Sequence, residues 1–300
     1  MEITICKTAG LCAGATRSYN AAIEALKGKK KVKMYHQILH NQKLIDDLNS
    51  KGSSIIFDIK EADVNDHIVL KAHGEEKSVF EYLENKKIEY SNTICTNVKR
   101  VHDIALGKEK EGYTIILVGK KTKTGDYHPE IGALKTYLNN PVMISELSDV
   151  EEPTFSDKKY FMVSQTTFNN EKFLQIAQKT KDLLKAKNIE FDSANTICNF
   201  PLVNINESLK LASASDVAIV LGSKNSSNTT ELFNAVKDVC PTIFNDDFQE
   251  IGQEVATKLE KNKVPFEKAK ICILAGASTL KSDLEKLKTY LGSKDNVLSK

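Results

Sequence analysis

A chain of 300 residues with 41% hydrophobic and 27% charged content can bury a large core and divide into two or three domains of about 100 residues each. Its formal charge of only +2, with no basic run interleaved with aromatics, argues against nucleic-acid or membrane-surface binding, and no apolar stretch reaches the roughly 18 residues a membrane-spanning helix needs. The start, Met1 to Cys6, lacks the charged n-region of a signal peptide, and six widely spaced cysteines do not form a secreted disulfide framework, so a cytoplasmic protein with free thiols is expected.

In chain order, apolar spacing near 3.6 predicts helices over 19–26 and 42–50, with the densest basic stretch, 27–33, read as a solvated turn between a helix and a strand. β-branched runs closed by small residues predict strands over 54–57 and 67–74, followed by helices over 78–85 and 96–105 and a strand over 113–119. The segment 150–159, with Pro153 and many charges, reads as a surface loop. Beyond it come a strand over 160–163, helices over 170–187 and 208–215, a strand over 217–222, a helix over 229–239, a strand over 269–276 and a helix over 282–291. This alternation defines α/β units with parallel sheets, in which ligands gather at the carboxyl ends of the strands.

Three cysteines, Cys12, Cys95 and Cys198, stand about a third of the chain apart, and the last two close the same tetrapeptide, Asn92-Thr93-Ile94-Cys95 and Asn195-Thr196-Ile197-Cys198. Each ends a short β-prone run, so all three thiols are expected at strand ends, converging on a metal or a cluster. The spacing leaves both open: zinc usually draws a pair of ligands from a C-x-x-C hook, which is lacking, while a cube held by three thiolates keeps one iron without a protein ligand. The repeat suggests three related units with boundaries at the cysteines: 13–95, 96–197, and 1–12 with 198–291, followed by a polar tail over 292–300. Cys6, Cys240 and Cys272 lie in apolar surroundings and read as inert thiols.

Other polar motifs fall at the loops after strands. Tyr127-His128-Pro129-Glu130 places a carboxylate two residues from an imidazole in a proline-stiffened turn, a pairing suited to delivering a proton. Leu221 to Asn228 offers successive small polar residues ahead of a helix, a cradle for phosphate, and Ala275-Gly276-Ala277-Ser278 closes another strand in the same way. His40 and His73 stand at strand exits, each followed by a residue that permits close ligand approach. Gln165-Thr166-Thr167 adds hydroxyls. His36, His67 and His102 read as structural or exposed.

Taken in order, Cys12-Ala13-Gly14 with Arg17, His40-Asn41, Ala72-His73-Gly74, Thr93-Ile94-Cys95, His128-Pro129-Glu130, Gln165-Thr166-Thr167, Ile197-Cys198, Gly222 to Asn228 and Ala275 to Ser278 resemble the 4-hydroxy-3-methylbut-2-enyl diphosphate reductase family. The resemblance implies three α/β units arranged like a trefoil around a central [4Fe–4S] cluster ligated by Cys12, Cys95 and Cys198, with the N-terminal strand joining the third unit's sheet. It also implies reductive dehydroxylation of an allylic diphosphate, the last step of the methylerythritol phosphate route to isopentenyl and dimethylallyl diphosphates. Electrons would come from a carrier such as ferredoxin or flavodoxin. By the same resemblance Glu130 is the proton source, Thr166 and His128 belong to its relay, and His40, His73, Ser226, Asn228 and Ser278 bind diphosphate with His128 and Ser227 close by.

Four departures from that pattern stand out: Pro201 where a hydroxyl is usual, a longer lysine-rich segment at 120–127, Leu11 where an aromatic is usual, and Thr279 where a proline is usual. They keep alive a divergent iron–sulfur protein that senses redox state or takes another phosphorylated substrate, and a zinc-structured binding protein.

Overall fold

The computed structural model describes residues 1–39, 41–222, 227–277 and 279–298, without the side chains of residues 227, 228, 295 and 298. Among the described residues the strands form three four-stranded sheets in which every neighbouring pair runs parallel.

The chain opens with β1 (Glu2–Ile5) and α1 (Ala13–Ala25), then builds a sheet from β2 (Lys31–Tyr35), β3 (Ser53–Ile56), β4 (Asp66–Val69) and β5 (Glu89–Ser91), with α2 (Gln42–Ser50) and α3 (Lys77–Asn85) in the connections. Next, α4 (Thr96–Lys110) leads to β6 (Thr114–Val118), α5 (Pro129–Lys135), β7 (Val142–Ile144), β8 (Lys159–Ser164), α6 (Asn170–Ala186) and β9 (Glu190–Ser193). The last third comprises α7 (Phe200–Ser213), β10 (Val217–Leu221), α8 (Ser227–Val236), β11 (Thr242–Asn245), α9 (Phe248–Lys261), β12 (Lys270–Ala275), α10 (Lys281–Gly292) and α11 (Lys294–Leu298).

The strand orders are β3-β2-β4-β5, β7-β6-β8-β9 and, read from its far edge, β11-β10-β12-β1. All three follow one pattern, second-first-third-fourth, with the N-terminal strand as the fourth member of the last sheet. β1 pairs with β12 from Glu2 against Lys270 to Ile5 against Ile273. In each sheet, therefore, the chain leaves the fourth strand and soon reaches one of the three cysteines. Strands such as β10, with all five residues buried, are continuous apolar runs because helices cover both faces of a parallel sheet. The chain groups into two compact units, one of residues 1–16, 39–47 and 199–300 and the other of residues 17–38 and 48–198, so the first two sheets share a unit.

Several elements differ from the sequence expectation. β4 stops at Val69, and residues 70–76 form a loop, because Gly74 takes a φ of +83° that no strand holds. α7 begins at Phe200 rather than near 208, since Pro201 at the first turn lacks only an N–H that a helix start leaves unused. β2 takes in Lys31 to Lys33, so the basic turn is shorter than expected. Within 150–159, Val150 and Phe155 are buried in the second sheet's core, which makes this segment a packed connection and not a pure surface loop. The expected polar tail contains α11, whose Val297 is buried beside α9.

Candidate active site

The two identical tetrapeptides adopt the same local structure. The Asn92 and Asn195 side chains accept from the Ile94 and Ile197 N–H groups, each at 3.1 Å, closing an Asx turn. Thr93 and Thr196 are buried and donate to the carbonyls of Leu70 and Ser164, just beyond or at the ends of β4 and β8. The next link is also repeated: Cys95 N–H donates to Ala72 O at 2.9 Å and Cys198 N–H to Thr166 O at 2.7 Å. Each cysteine is thereby tied to the loop that carries a candidate ligand, His73 in one case and Thr166 in the other.

The thiols stand at helix entrances rather than at strand ends. Cys12 precedes α1, Cys95 caps α4, and Cys198 lies two residues before α7. All three are free and partly exposed. Ala15 N–H points at Cys12 Sγ at 3.5 Å, and Asn97, in the first turn of α4, donates through Nδ2 to Cys198 Sγ at 3.2 Å. An N–H donor aimed at Cys12 Sγ and an amide donor on Cys198 Sγ suit sulfurs that ligate iron. The donor set therefore fits an iron–sulfur group. Among the described residues, no three His, Cys, Asp or Glu side chains are grouped closely enough to hold a metal ion by themselves. Of the other cysteines, Cys6 and Cys272 are buried in apolar surroundings; burial pushes the Cys272 thiol up to about 12 and raises that of half-buried Cys240, as expected for inert groups.

Near Cys12, Thr279 acts as a tether. Its carbonyl accepts from Leu11 N–H at 2.8 Å and its hydroxyl donates to Leu221 O at 3.2 Å, joining the cysteine segment to the ends of β10 and β12. Asn204 of α7, buried, donates to Ala275 O and accepts from Thr8 Oγ1, pinning the same strand end.

Glu130 sits in the first turn of α5, only 1% exposed. His128 is the N-cap of that helix, its Nδ1 accepting from Glu130 N–H at 3.3 Å, and Pro129 fixes the first helical residue. The carboxylate is gripped at both oxygens by one residue: Oε1 accepts from Thr166 N–H at 2.6 Å and Oε2 from Thr166 Oγ1 at 2.8 Å. Burial pushes the Glu130 pKa up to about 7, against the two Thr166 donors that pull it down. Gln165, also buried, holds this corner by accepting from Lys120 N–H and donating to Thr167 Oγ1. The segment 120–127 is an ordered hairpin bridged between Lys121 and Tyr127, and His128 N–H donates back to Lys120 O.

His73 and His128 meet edge to face, their ring centroids 5.1 Å apart. Gly74 beside His73 is left-handed, with a φ of +83°, and a β-carbon there would lie 3.3 Å from Ile94 Cδ1, so a larger residue is strained and needs Ile94 to shift. Glu130, Thr166, His73, His128, Cys95 and Cys198 thus all belong to the unit that holds the first two sheets. His40, Ser226 and Ser278 lie outside the described residues, as do the side chains of Ser227 and Asn228, whose backbone opens α8. Sequence reasoning passed over Asn97, Tyr137 and Glu75. Nothing in their local sequence marks them, because each acts through contacts with residues distant along the chain.

These features define a class: an α/β protein of three parallel sheets in which Cys95 and Cys198, at helix entrances, are tied to loops that carry an imidazole and the clamp of a buried acid. The profile of the LytB protein family matches residues 3–292, and the chain belongs to that family. It is 30% identical to a 4-hydroxy-3-methylbut-2-enyl diphosphate reductase of Petrotoga mobilis over 97% of each chain, and 31% identical to one of Nitratiruptor over 93% of this chain and 94% of the relative. Among solved structures it is similar to (E)-4-hydroxy-3-methyl-but-2-enyl diphosphate reductase, described as the terminal enzyme of the non-mevalonate pathway, with a TM-score of 0.81, 28% identity and coverage of 96% and 98% of the two chains. A reductase from Plasmodium falciparum gives a TM-score of 0.72 at 26% identity, covering 99% of this chain and 89% of that one.

Proposed function

We propose that this chain reduces (E)-4-hydroxy-3-methylbut-2-enyl diphosphate to isopentenyl and dimethylallyl diphosphates, using a [4Fe–4S] cluster held by Cys12, Cys95 and Cys198. Family membership and the named relatives support the reaction, and the common position of the three cysteines in the sheet pattern supports the ligand set. The same pattern supports a division at the cysteines into 13–95, 96–197, and 1–12 with 198–291. When bound, the cluster supplies electrons one at a time and a Lewis-acidic iron with no protein ligand.

In the overall step the allylic C–O bond breaks, two electrons and two protons enter, water leaves, and a C–H bond forms. Hydroxide is a poor leaving group, so one proton must reach that oxygen. Glu130 is the donor. With its pKa near 7 a large fraction is protonated at neutrality, and a diphosphate dianion or trianion close by would raise that fraction further. Thr166 orients the carboxyl through both oxygens and passes its own hydroxyl into the relay. His128, whose Nδ1 accepts from Glu130 N–H, carries its ring proton on Nε2 when neutral. His73 beside it, together with His40, Ser226, Ser227, Asn228 and Ser278, binds the diphosphate through imidazole, hydroxyl and amide donors. A small protein carrier of the ferredoxin or flavodoxin type delivers the electrons, and the enzyme works in the cytoplasm.

The observation that carries this reading is the buried Glu130 carboxyl clamped by Thr166, whose carbonyl accepts from Cys198 N–H. The test is Glu130→Gln in the anaerobically loaded protein. It should keep the cluster absorption and diphosphate binding while turnover falls by roughly 10²-fold or more; unchanged turnover removes Glu130 from the proton step.

A further inference from the structure

The loop over 70–76 that carries His73 is fixed on two sides. Toward its own sheet, Leu70 O accepts from Thr93 and Ala72 O from Cys95 N–H. On the opposite side, Tyr137 donates through its hydroxyl to Glu75 O at 3.0 Å, and Lys77 N–H donates to Thr136 Oγ1 at 3.1 Å. Thr136 and Tyr137 directly follow α5, the helix whose entrance holds His128 and Glu130. The same short helix therefore meets the loop twice, through the His73–His128 ring contact at its amino end and through the Tyr137 hydrogen bond just past its carboxyl end, while Thr136 holds Lys77, the first residue of α3.

The helix cannot readily slide. Ile131 and Leu134 are fully buried against the second sheet, and Gly119 at the end of β6 lies so close that a β-carbon there would stand 2.7 Å from Ile131 Cγ1. The Tyr137 ring packs on buried His102, with centroids 5.5 Å apart, and Glu75 forms an ion pair with Lys71 at 3.2 Å. A loop held in this way needs no ordering when an anion arrives, and such preorganisation shows as affinity.

We infer that Tyr137, with Thr136 beside it, is a positioning residue that fixes His73 against His128 and so sets the spacing of two diphosphate donors. The inference rests on the reading of His73 as a diphosphate ligand. It concerns a hydrogen bond from Tyr137 to the backbone of the loop that carries His73.

The experiment measures binding of inorganic diphosphate to anaerobically prepared holoenzyme by titration calorimetry in the wild type, Tyr137→Phe, His73→Ala and the double variant. Loss of one neutral hydrogen bond should weaken binding in Tyr137→Phe by about tenfold, with KM for the substrate rising more than kcat falls. In the His73→Ala background the same change should add less than about twofold, because no ring remains to be placed. Tyr137→Phe keeps the ring that packs on His102. Thr136→Val, which removes the neighbouring hydrogen bond, should shift binding in the same direction. Wild-type binding by both Tyr137→Phe and Thr136→Val, beside a weakened His73→Ala, overturns the inference and leaves the ligand reading intact. Equal losses from Tyr137→Phe in both backgrounds also overturn it. Wild-type binding by His73→Ala overturns the ligand reading itself, and the inference with it.

Discussion

Glu130 is where physical chemistry and function are most tightly joined. A carboxyl that is 1% exposed prefers to be neutral, so its pKa rises from the ordinary 4.5 to about 7. The sign of the linkage follows: the protonated form is favoured by folding, its stabilisation is full below about pH 4.5, and it is lost as pH rises through about 7. Glu130→Gln removes that dependence. Urea unfolding at pH 5 and pH 8 should show the wild type losing about 2 kcal/mol more than the variant between the two conditions; parallel losses would show that Glu130 does not titrate there. Glu75 shares the direction, pushed up to about 7 by burial against the pull of Lys71, and is common to both proteins.

Thr166 gives a second measurement at the same scale. Its hydroxyl and N–H both favour the ionised carboxylate, so Thr166→Val should raise the Glu130 pKa further, by about one unit. If Glu130 is the acid, kcat of the wild type falls as pH climbs through about 7, and that limb moves to higher pH in the variant. A limb that stays in place would assign the titration to another group. None of this was visible in His-Pro-Glu alone, a motif equally compatible with an exposed helix start; only burial against Thr166, 36 residues away, distinguishes the two.

At the level of elements, the repeated Asn-Thr-Ile-Cys was legible as a repeat, but the local structure that both copies share was not. The asparagine closes a turn, the buried threonine bridges to a neighbouring strand end, and the cysteine N–H reaches the next loop. Thr196→Val should therefore destabilise the protein by about 1–3 kcal/mol through unpaired polar groups at Ser164, read as a lower urea midpoint with an unchanged slope. Gly74→Ala forces a β-branched-free but still L side chain into a φ of +83°, close to Ile94, and should cost a similar amount. Variants as stable as the wild type would show that these loops tolerate repacking. The long apolar strands and most helices could be read from periodicity. The short edge strands β5, β7 and β9 could not, because three or four residues carry no reliable period. α7 was read too short because the unusual Asn199-Phe200-Pro201 start conceals a helix entrance that proline in fact permits.

For the molecule as a whole, the second-first-third-fourth strand order recurring in all three sheets explains why one sequence motif could appear at intervals of about a third of the chain. Parallel α/β units were legible because helix and strand patterns alternate throughout. The N-terminal strand's place beside β12 was implied only by the family resemblance, since no local pattern reports which distant strand an edge will join. Two of the departures have structural uses: Thr279 is a tether for Leu11, and Pro201 fits a helix entrance.

The most direct measurement is turnover by anaerobically purified, iron-loaded protein supplied with (E)-4-hydroxy-3-methylbut-2-enyl diphosphate and a reduced one-electron donor, with products weighed by mass spectrometry. The expected result is a brown protein absorbing near ~400 nm that converts the substrate to diphosphates lighter by one oxygen atom, and a Cys95→Ser variant that loses both colour and conversion. A fully loaded wild-type protein that returns the alcohol unchanged, or a Cys95→Ser protein as brown and active as the wild type, would contradict the account.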